Sequence, residues 1–314
     1  MEGFNVKLAF LYAGQGAQHV GMGRDLYEIY PAFRQVLDSA PVDFDLKKLC
    51  FDGPEDQLND TRYTQPCMVA FAAGVTALLR EAGITPDYAA GLSLGEYSAL
   101  QCAGVFDAKT AISLVAFRGQ AMADAVQGRP CGMAAVLGMD RDALKAVCSE
   151  ASDAGVVECT NFNCPGQIVI SGDAAAVDKA GELAKAAGAK RVLPLKVSGP
   201  FHTSLMAPAG DALREKFQSV DFGAMEIPVL FNCLGDLKGE ADTIPNLLEQ
   251  QVQSSVYLED TIRRLGELGV DTVVEIGHGR TLSGFVKKTV KGIKCYPVET
   301  AEELQAAIAA LRGE

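Results

Sequence analysis

Ser93 stands in Gly91-Leu92-Ser93-Leu94-Gly95-Glu96, after a short strand-like run, Pro86-Asp87-Tyr88-Ala89-Ala90, and before a helix-forming one, Tyr97-Ser98-Ala99-Leu100-Gln101-Cys102-Ala103. A serine on a strand-to-helix turn is the setting of a nucleophile elbow. Glycines at 91 and 95 lack the Cβ atoms that would clash in so sharp a turn. The helix that follows points its free N–H groups at whatever the serine attacks. The bare motif is common, and its bland alternative is a serine N-cap in a tight turn; the flanking strand and helix favour the elbow. A serine nucleophile needs a base, usually histidine, and the chain offers three, His19, His202 and His278. His202 follows Gly199-Pro200, where one pattern of elements gives way to another, and a crevice between domains is a common place for a site. That position favours His202, although each of the three has a plain reading as a hydrogen-bonded structural histidine. Arg118 lies beside the apolar stripe of Ile112, Val115, Ala116 and Met122. A cation there is costly unless paired. It reads either as the partner of an internal carboxylate, Glu96 or Asp124, or as a fork gripping a substrate carboxylate. The residues alone favour the first.

The elements that must carry these residues alternate between strand and helix. Lys7 to Ala13 reads as a buried strand, followed by the flexible Gly14-Gln15-Gly16-Ala17-Gln18-His19. A dinucleotide fingerprint needs glycine where His19 stands, and no Gly-Lys-Ser/Thr follows for a P-loop. The loop is then either a turn whose backbone N–H groups approach a ligand or a plain connection. Asp25 to Ser39 reads as helical apart from Pro31, and Gln65-Pro66 opens a long apolar helix to Glu81. Asp107 caps a helix from Ala108 to Val126. After the break at Gln127-Gly128-Arg129-Pro130 the order is β-α-β-β-α-β, the pattern of a ferredoxin-like unit, read as a small inserted domain over residues 129–198. The core, residues 1–128, resumes over 199–314. There Ile227 to Asn232 and Thr272 to Ile276 read as strands, and Ile244 to Gln253 and Tyr257 to Leu268 as helices. Such alternation implies a mainly parallel α/β sheet covered on both faces.

Composition narrows the function. The 314 residues, 48% of them hydrophobic, suffice for a large core, so the chain is not a disordered one. The net charge of −12 argues against nucleic acid and anionic membrane surfaces as partners. Nine cysteines with no C-x-x-C pair read as small core residues in a reducing cytoplasm, with no metal site. Met1-Glu2-Gly3 lacks the basic start of a secretory signal, and the apolar run Met68 to Leu79 is too short to span a bilayer.

These motifs, in this order, resemble those of bacterial malonyl-CoA:acyl carrier protein transacylases, and more broadly the acyltransferase domains of fatty acid and polyketide synthases. The resemblance covers nearly the whole chain. It is carried by Gly14-Gln15-Gly16-Ala17-Gln18 with Gly21-Met22-Gly23, by Gly91 to Leu100, and by Phe117-Arg118-Gly119. It continues in Asn161 to Gln167, Phe201-His202-Thr203, Gln251 with Val256, and Glu275-Ile276-Gly277. It implies an α/β-hydrolase-like core with an inserted ferredoxin-like domain. It also implies transfer of a malonyl group from malonyl-CoA to the phosphopantetheine thiol of acyl carrier protein, in fatty acid biosynthesis. Ser93 would be the nucleophile and His202 its base. Backbone N–H groups of Gln15 and Leu94 would form the oxyanion hole, and Arg118 would bind the malonyl carboxylate. Gln251 would orient His202 through its backbone carbonyl, while Leu94 and Phe201 look like the malonyl-type variants. No metal or redox cofactor is needed. An acidic carrier protein would need a local basic patch on this acidic chain, for which Lys190-Arg191 and Lys287-Lys288 with Lys291 are candidates; each alone reads more readily as an ordinary solvated face.

The sequence departs from the family pattern in four places. Leu92 replaces a histidine before the nucleophile, Ala13 a proline at the head of the first loop, Ser255 a proline near Gln251, and His278 a proline in the late loop. Two rival functions stand beside transfer. A serine esterase or thioesterase would have no need of Arg118, and no clear acidic third member lies in the usual order between Ser93 and His202. A non-catalytic carrier-protein-binding module would have no need of Ser93, Arg118 and His202 together.

Overall fold

The computed structural model describes residues 6–196 and 199–313. In chain order the elements are β1 (Leu8–Tyr12), α1 (Arg24–Ile29), α2 (Pro31–Asp38), α3 (Leu46–Asp52), α4 (Glu55–Leu58), α5 (Thr61–Glu81), β2 (Tyr88–Gly91), α6 (Gly95–Cys102) and α7 (Ala108–Asp124). Next come β3 (Cys131–Leu137), α8 (Arg141–Glu150), β4 (Val157–Cys164), β5 (Gln167–Asp173), α9 (Ala174–Ala186), β6 (Arg191–Pro194) and α10 (Ala207–Phe217). The chain ends with β7 (Leu230–Phe231), β8 (Asp236–Leu237), α11 (Ile244–Gln253), α12 (Leu258–Glu267), β9 (Thr272–Ile276), α13 (Thr281–Thr289), β10 (Lys294–Val298) and α14 (Ala301–Arg312). They fall into two compact units. The first comprises Met1–Gly119, Asp221–Leu230 and Ile262–Glu314, and the second Gln120–Val220 and Phe231–Thr261.

The first unit is built on a parallel sheet of order β10-β9-β1-β2. Its central strand, Leu-Ala-Phe-Leu-Tyr, is buried at every position, as a strand covered on both faces must be. The register aligns Tyr12 with Gly91 on one side and with Ile276 on the other. The loops that begin at Ala13, Leu92 and Gly277 therefore leave the sheet at the same end, the carboxyl end of its strands, where ligands bind in such sheets. Helix α5 starts at Thr61, earlier than the Gln65-Pro66 that the sequence suggests, because Asp60 caps it by accepting from the Arg62 N–H at 3.0 Å. Pro66 is then inside the helix, at the loss of one hydrogen bond. The stretch 227–232 differs more. Only Leu230–Phe231 is strand, paired with Asp236–Leu237, and Val229 makes a single bridge to Ala89. Pro228 has no N–H to extend a ladder, although its carbonyl accepts from the Ala89 N–H at 3.0 Å.

The second unit contains the β-α-β-β-α-β run, folded as an antiparallel sheet of order β4-β5-β3-β6. Leu144, Val147, Phe162, Ile168, Ile170 and the small faces of Ala176, Ala180 and Ala184 form its core. The alanines explain why α9 packs closely: a narrow stripe of small side chains lets it approach the sheet. The stretch 129–198 read as an insertion lies in this unit, which also takes α10 and α11. The segment after α11 lies along β4, with the Phe162 N–H donating to Val256 O at 2.9 Å and the Val256 N–H to Thr160 O at 2.7 Å. Ser255, standing where proline was expected, donates its hydroxyl to Cys159 O at 2.8 Å. Among the described residues no helix is long and apolar enough to cross a membrane.

Glu275 at the end of β9 is fully buried. Its oxygens accept from the N–H groups of Leu282 and Ser283 at 2.9 and 2.8 Å, and from the Ser283 hydroxyl. A buried carboxylate is tolerable here because the first turn of α13 presents it with otherwise unmatched donors and the positive end of a helix. Glu275→Ala should cost about 3 kcal/mol, since it orphans several buried donors to a charged group, whereas Ser283→Ala should cost about 1 kcal/mol. Urea denaturation of the two variants checks this; equal midpoints would show that Glu275 does not hold α13 in place.

Candidate active site

Ser93 sits at the turn between β2 and α6, with φ of 52°, and His202 has φ of 62°. Among the described residues these are the two non-glycine positions with positive φ. Such backbone is costly for a residue with a Cβ and clusters at functional sites. The turn is possible because of its glycines. A Cβ on Gly91 would lie 2.0 Å from the Gly95 backbone, and one on Gly95 would lie 2.2 Å from Tyr12 O. The Leu92 N–H donates to Tyr12 O at 3.0 Å, extending the pairing of β1 and β2 up to the serine. Leu94 is the N-cap of α6, so its N–H belongs to the end of the helix that lacks intrahelical acceptors.

The loop after β1 presses against this turn. A Cβ on Gly14 would lie 2.4 Å from Leu92 O, so glycine at 14 lets the backbone leading into Gln15 rest on the serine turn. Gln15 is fixed from its other end, its Nε2 donating to Thr61 Oγ1 at 2.9 Å at the head of α5.

Arg118 is 1% exposed. Its Nη1 donates to Gln65 Oε1 at 3.0 Å and its Nη2 points at Ser93 Oγ from 3.4 Å. The guanidinium lies over the Tyr97 ring, 5.3 Å from the centroid. Burial lowers its pKa from the ordinary arginine value, against the opposing pull of Tyr97 and Glu96. Burial also pushes the Tyr97 phenol well up, so it stays neutral. Glu96, fully buried, supplies an internal counter-charge, and the fork nevertheless faces the serine. Asp124, the other carboxylate considered, accepts instead from Gln120 Nε2 at 2.8 Å. Gln65 was not anticipated; the signal for it is an amide, fully buried, in the otherwise apolar stretch of α5.

In the second unit His202 is 3% exposed. Its Nδ1 lies 2.8 Å from Gln251 O. A carbonyl only accepts, so Nδ1 carries the hydrogen and Nε2 keeps its lone pair. Gln251 is in the last turn of α11, where carbonyls lack intrahelical donors and the helix dipole is negative. A helix terminus here fixes the tautomer and orientation of the ring. Phe201, also buried, packs over Gly199, where a Cβ would meet its ring at 2.8 Å. Thr203 ties the turn down by donating to Pro200 O at 2.6 Å. His19 and His278 are gathered elsewhere, both against Glu299.

The family model for the acyl transferase domain matches residues 9–309. The chain is 44% identical over 311 residues to the malonyl CoA-acyl carrier protein transacylase of Bacillus subtilis (strain 168), covering 98% of each chain. The crystal structure of malonyl CoA-acyl carrier protein transacylase from Clostridium perfringens Atcc 13124 superposes with a TM-score of 0.94 at 38% identity, covering 98% of each chain. A malonyl-transacylase solved in complex with a type II PKS acyl-carrier protein superposes with a TM-score of 0.93, also at 38% identity, covering 98% of this chain and 100% of that one.

Proposed function

Because this chain belongs to the acyl transferase domain family, we propose that it transfers malonyl groups from malonyl-CoA to acyl carrier protein, in the fatty acid biosynthesis of the cytoplasm. His202 Nε2 takes the proton of Ser93 as Oγ attacks the thioester carbonyl carbon. The N–H groups of Gln15 and Leu94 meet the developing oxyanion, each worth about 3 kcal/mol. The C–S bond breaks, the CoA sulfur takes the proton from His202, and malonyl remains as an ester on Ser93. The phosphopantetheine thiol of the carrier protein then gives its proton to His202, attacks that ester and releases Ser93 by the reverse path. The nucleophile and its base both belong to the proposed core over 1–128 and 199–314, with residues 129–198 as the proposed ferredoxin-like insertion. The candidate docking lysines, Lys190 with Arg191 and Lys287 with Lys288 and Lys291, are all exposed.

The observation that carries the choice of malonyl is Arg118, a buried cation with Nη2 3.4 Å from Ser93 Oγ. An acyl group on that oxygen lies beside the fork. One that bears a carboxylate pairs with it, and a neutral one leaves the buried guanidinium facing hydrocarbon. Arg118→Ala should lower the ratio of malonyl to acetyl transfer by about 100-fold, the worth of a charge-assisted bidentate contact. Arg118→Lys should recover only part of it, keeping the charge without the planar fork. Radiolabelled transfer to the carrier protein from the two CoA esters, with a thermal melt of each variant, makes the test. An unchanged ratio beside a lowered melting temperature would reduce Arg118 to a structural partner of Glu96.

A further inference from the structure

The geometry points to a divalent transition-metal site of the Zn2+ class, formed by His19, His278 and Glu299 at the carboxyl end of the parallel sheet. The three come from three different loops of the first unit, after β1, β9 and β10, and nothing in the acyl-transfer chemistry uses them. One ligand atom from each lies within 4.8 Å of the others. His19 Nε2 is 2.7 Å from Glu299 Oε1, His278 Nδ1 contacts the same oxygen, and the two rings are 3.9 Å apart between centroids. The other carboxylate oxygen, Oε2, accepts from the Gly279 N–H at 3.2 Å, which aims Oε1 at the two rings.

The contacts around the cluster suit a bound cation. His19 Nδ1 lies 3.0 Å from Val20 O. That carbonyl only accepts, so Nδ1 carries the hydrogen and Nε2 is the nitrogen turned towards Glu299. One metal ion satisfies both nitrogens and Oε1 together. A backbone carbonyl on the far nitrogen of a metal-bound histidine is also the usual supporting arrangement. Two imidazoles and one carboxylate suit Zn2+ rather than Mg2+ or Ca2+, and three protein ligands leave a fourth position for water. With metal–ligand bonds of about 2.1 Å the donors would stand about 3.4 Å apart, a small opening of the gap seen here. The side chains of His19 and His278 are 36% and 44% exposed and that of Glu299 17%, so an ion can enter while the carboxylate stays anchored. Arg280, two residues beyond His278, is drawn towards Glu303 at 3.7 Å.

Such an ion would clip together three loops, one of which carries Gln15. The test uses the full chain, stripped with a chelator and titrated calorimetrically with Zn2+, with Co2+ absorption as a report of imidazole ligation. We expect one ion per chain and a raised melting temperature. Affinity should fall by about 100-fold or more in His19→Ala, in His278→Ala and in Glu299→Gln, at least the loss that even a supporting residue causes. Malonyl transfer without metal should be the same in the His278→Ala variant as in the parent. Failure of the parent to bind would overturn the site, and would mean that one protonated and one neutral ring share the carboxylate. Binding that survives in a His19→Ala/His278→Ala double variant would overturn it too, by placing the ion on cysteines or on His202. Neither result bears on acyl transfer, whose readout is separate.

Discussion

Ser93→Ala should acquire no malonyl group from malonyl-CoA and should pass none to the carrier protein, while its melting temperature stays near that of the parent. The oxygen lost is the only atom that the proposed ester can form on. Alanine keeps the Cβ and with it the backbone strain of φ 52°, so the change in stability should be within about 0.5 kcal/mol. Ser93→Gly sharpens the test. Glycine adopts positive φ without penalty, and relieving that strain outweighs the entropy it adds to the unfolded chain, for a net gain of up to about 1 kcal/mol. The glycine variant should therefore be inert and more heat-stable, the signature of a site that holds strain for the sake of function. Intact-protein mass measurement after incubation with malonyl-CoA gives the first readout and calorimetry the second. A malonyl adduct on the alanine variant would move the ester to another residue and end the mechanism given above. Turnover to free malonate by the parent, with no transfer to the carrier protein, would replace transfer by hydrolysis.

The fold was legible because its signals are local. The all-buried Leu8–Tyr12 can only be an interior strand. The β-α-β-β-α-β order between Cys131 and Pro194 is visible in the alternation of apolar runs with the amphipathic helices α8 and α9. The turn at Ser93 was legible for the same reason, since strand, two glycines and helix lie within one short window. What sequence could not give was set by contacts across long separations. Gln65 meets Arg118 from 53 residues away, and no periodicity reports which turn of one buried helix faces which turn of another. Gly14 is one glycine in a glycine-rich loop until Leu92 O is seen 2.4 Å from where its Cβ would be. Pro66 misled because proline favours a first turn, and the stronger cap at Asp60 won. Ile227 to Asn232 looked like a strand by composition, but Pro228 cannot donate to a ladder, and only its end pairs. His278 could be read from sequence only as a departure from the family pattern. Its nearness to His19 is a product of the register that brings β1 and β9 to an end together.

His202→Ala should slow acylation of Ser93 by a factor of about 10² to 10⁴, the usual worth of a positioned general base. The buried ring carries two duties that separate in experiment. Its Nδ1–H satisfies Gln251 O at the end of α11, and its removal leaves that carbonyl to water or to a small cavity, a cost in stability of about 1 kcal/mol. Its Nε2 is the atom proposed to carry the proton, and only that duty is chemical. Asparagine tolerates left-handed backbone better than other residues with a Cβ. His202→Asn therefore keeps the turn at φ 62° and should melt close to the parent while being as slow as the alanine variant. Added imidazole should restore part of the rate of His202→Ala, where it can occupy the vacated volume, and do little for His202→Asn. His19→Ala and His278→Ala should acylate at nearly the parent rate, because their ring nitrogens are committed to Glu299. Stopped-flow or quenched acylation of the four variants decides among the histidines. A loss at His278 greater than that at His202 would hand the base to the other unit, and with it the role here given to the negative end of α11.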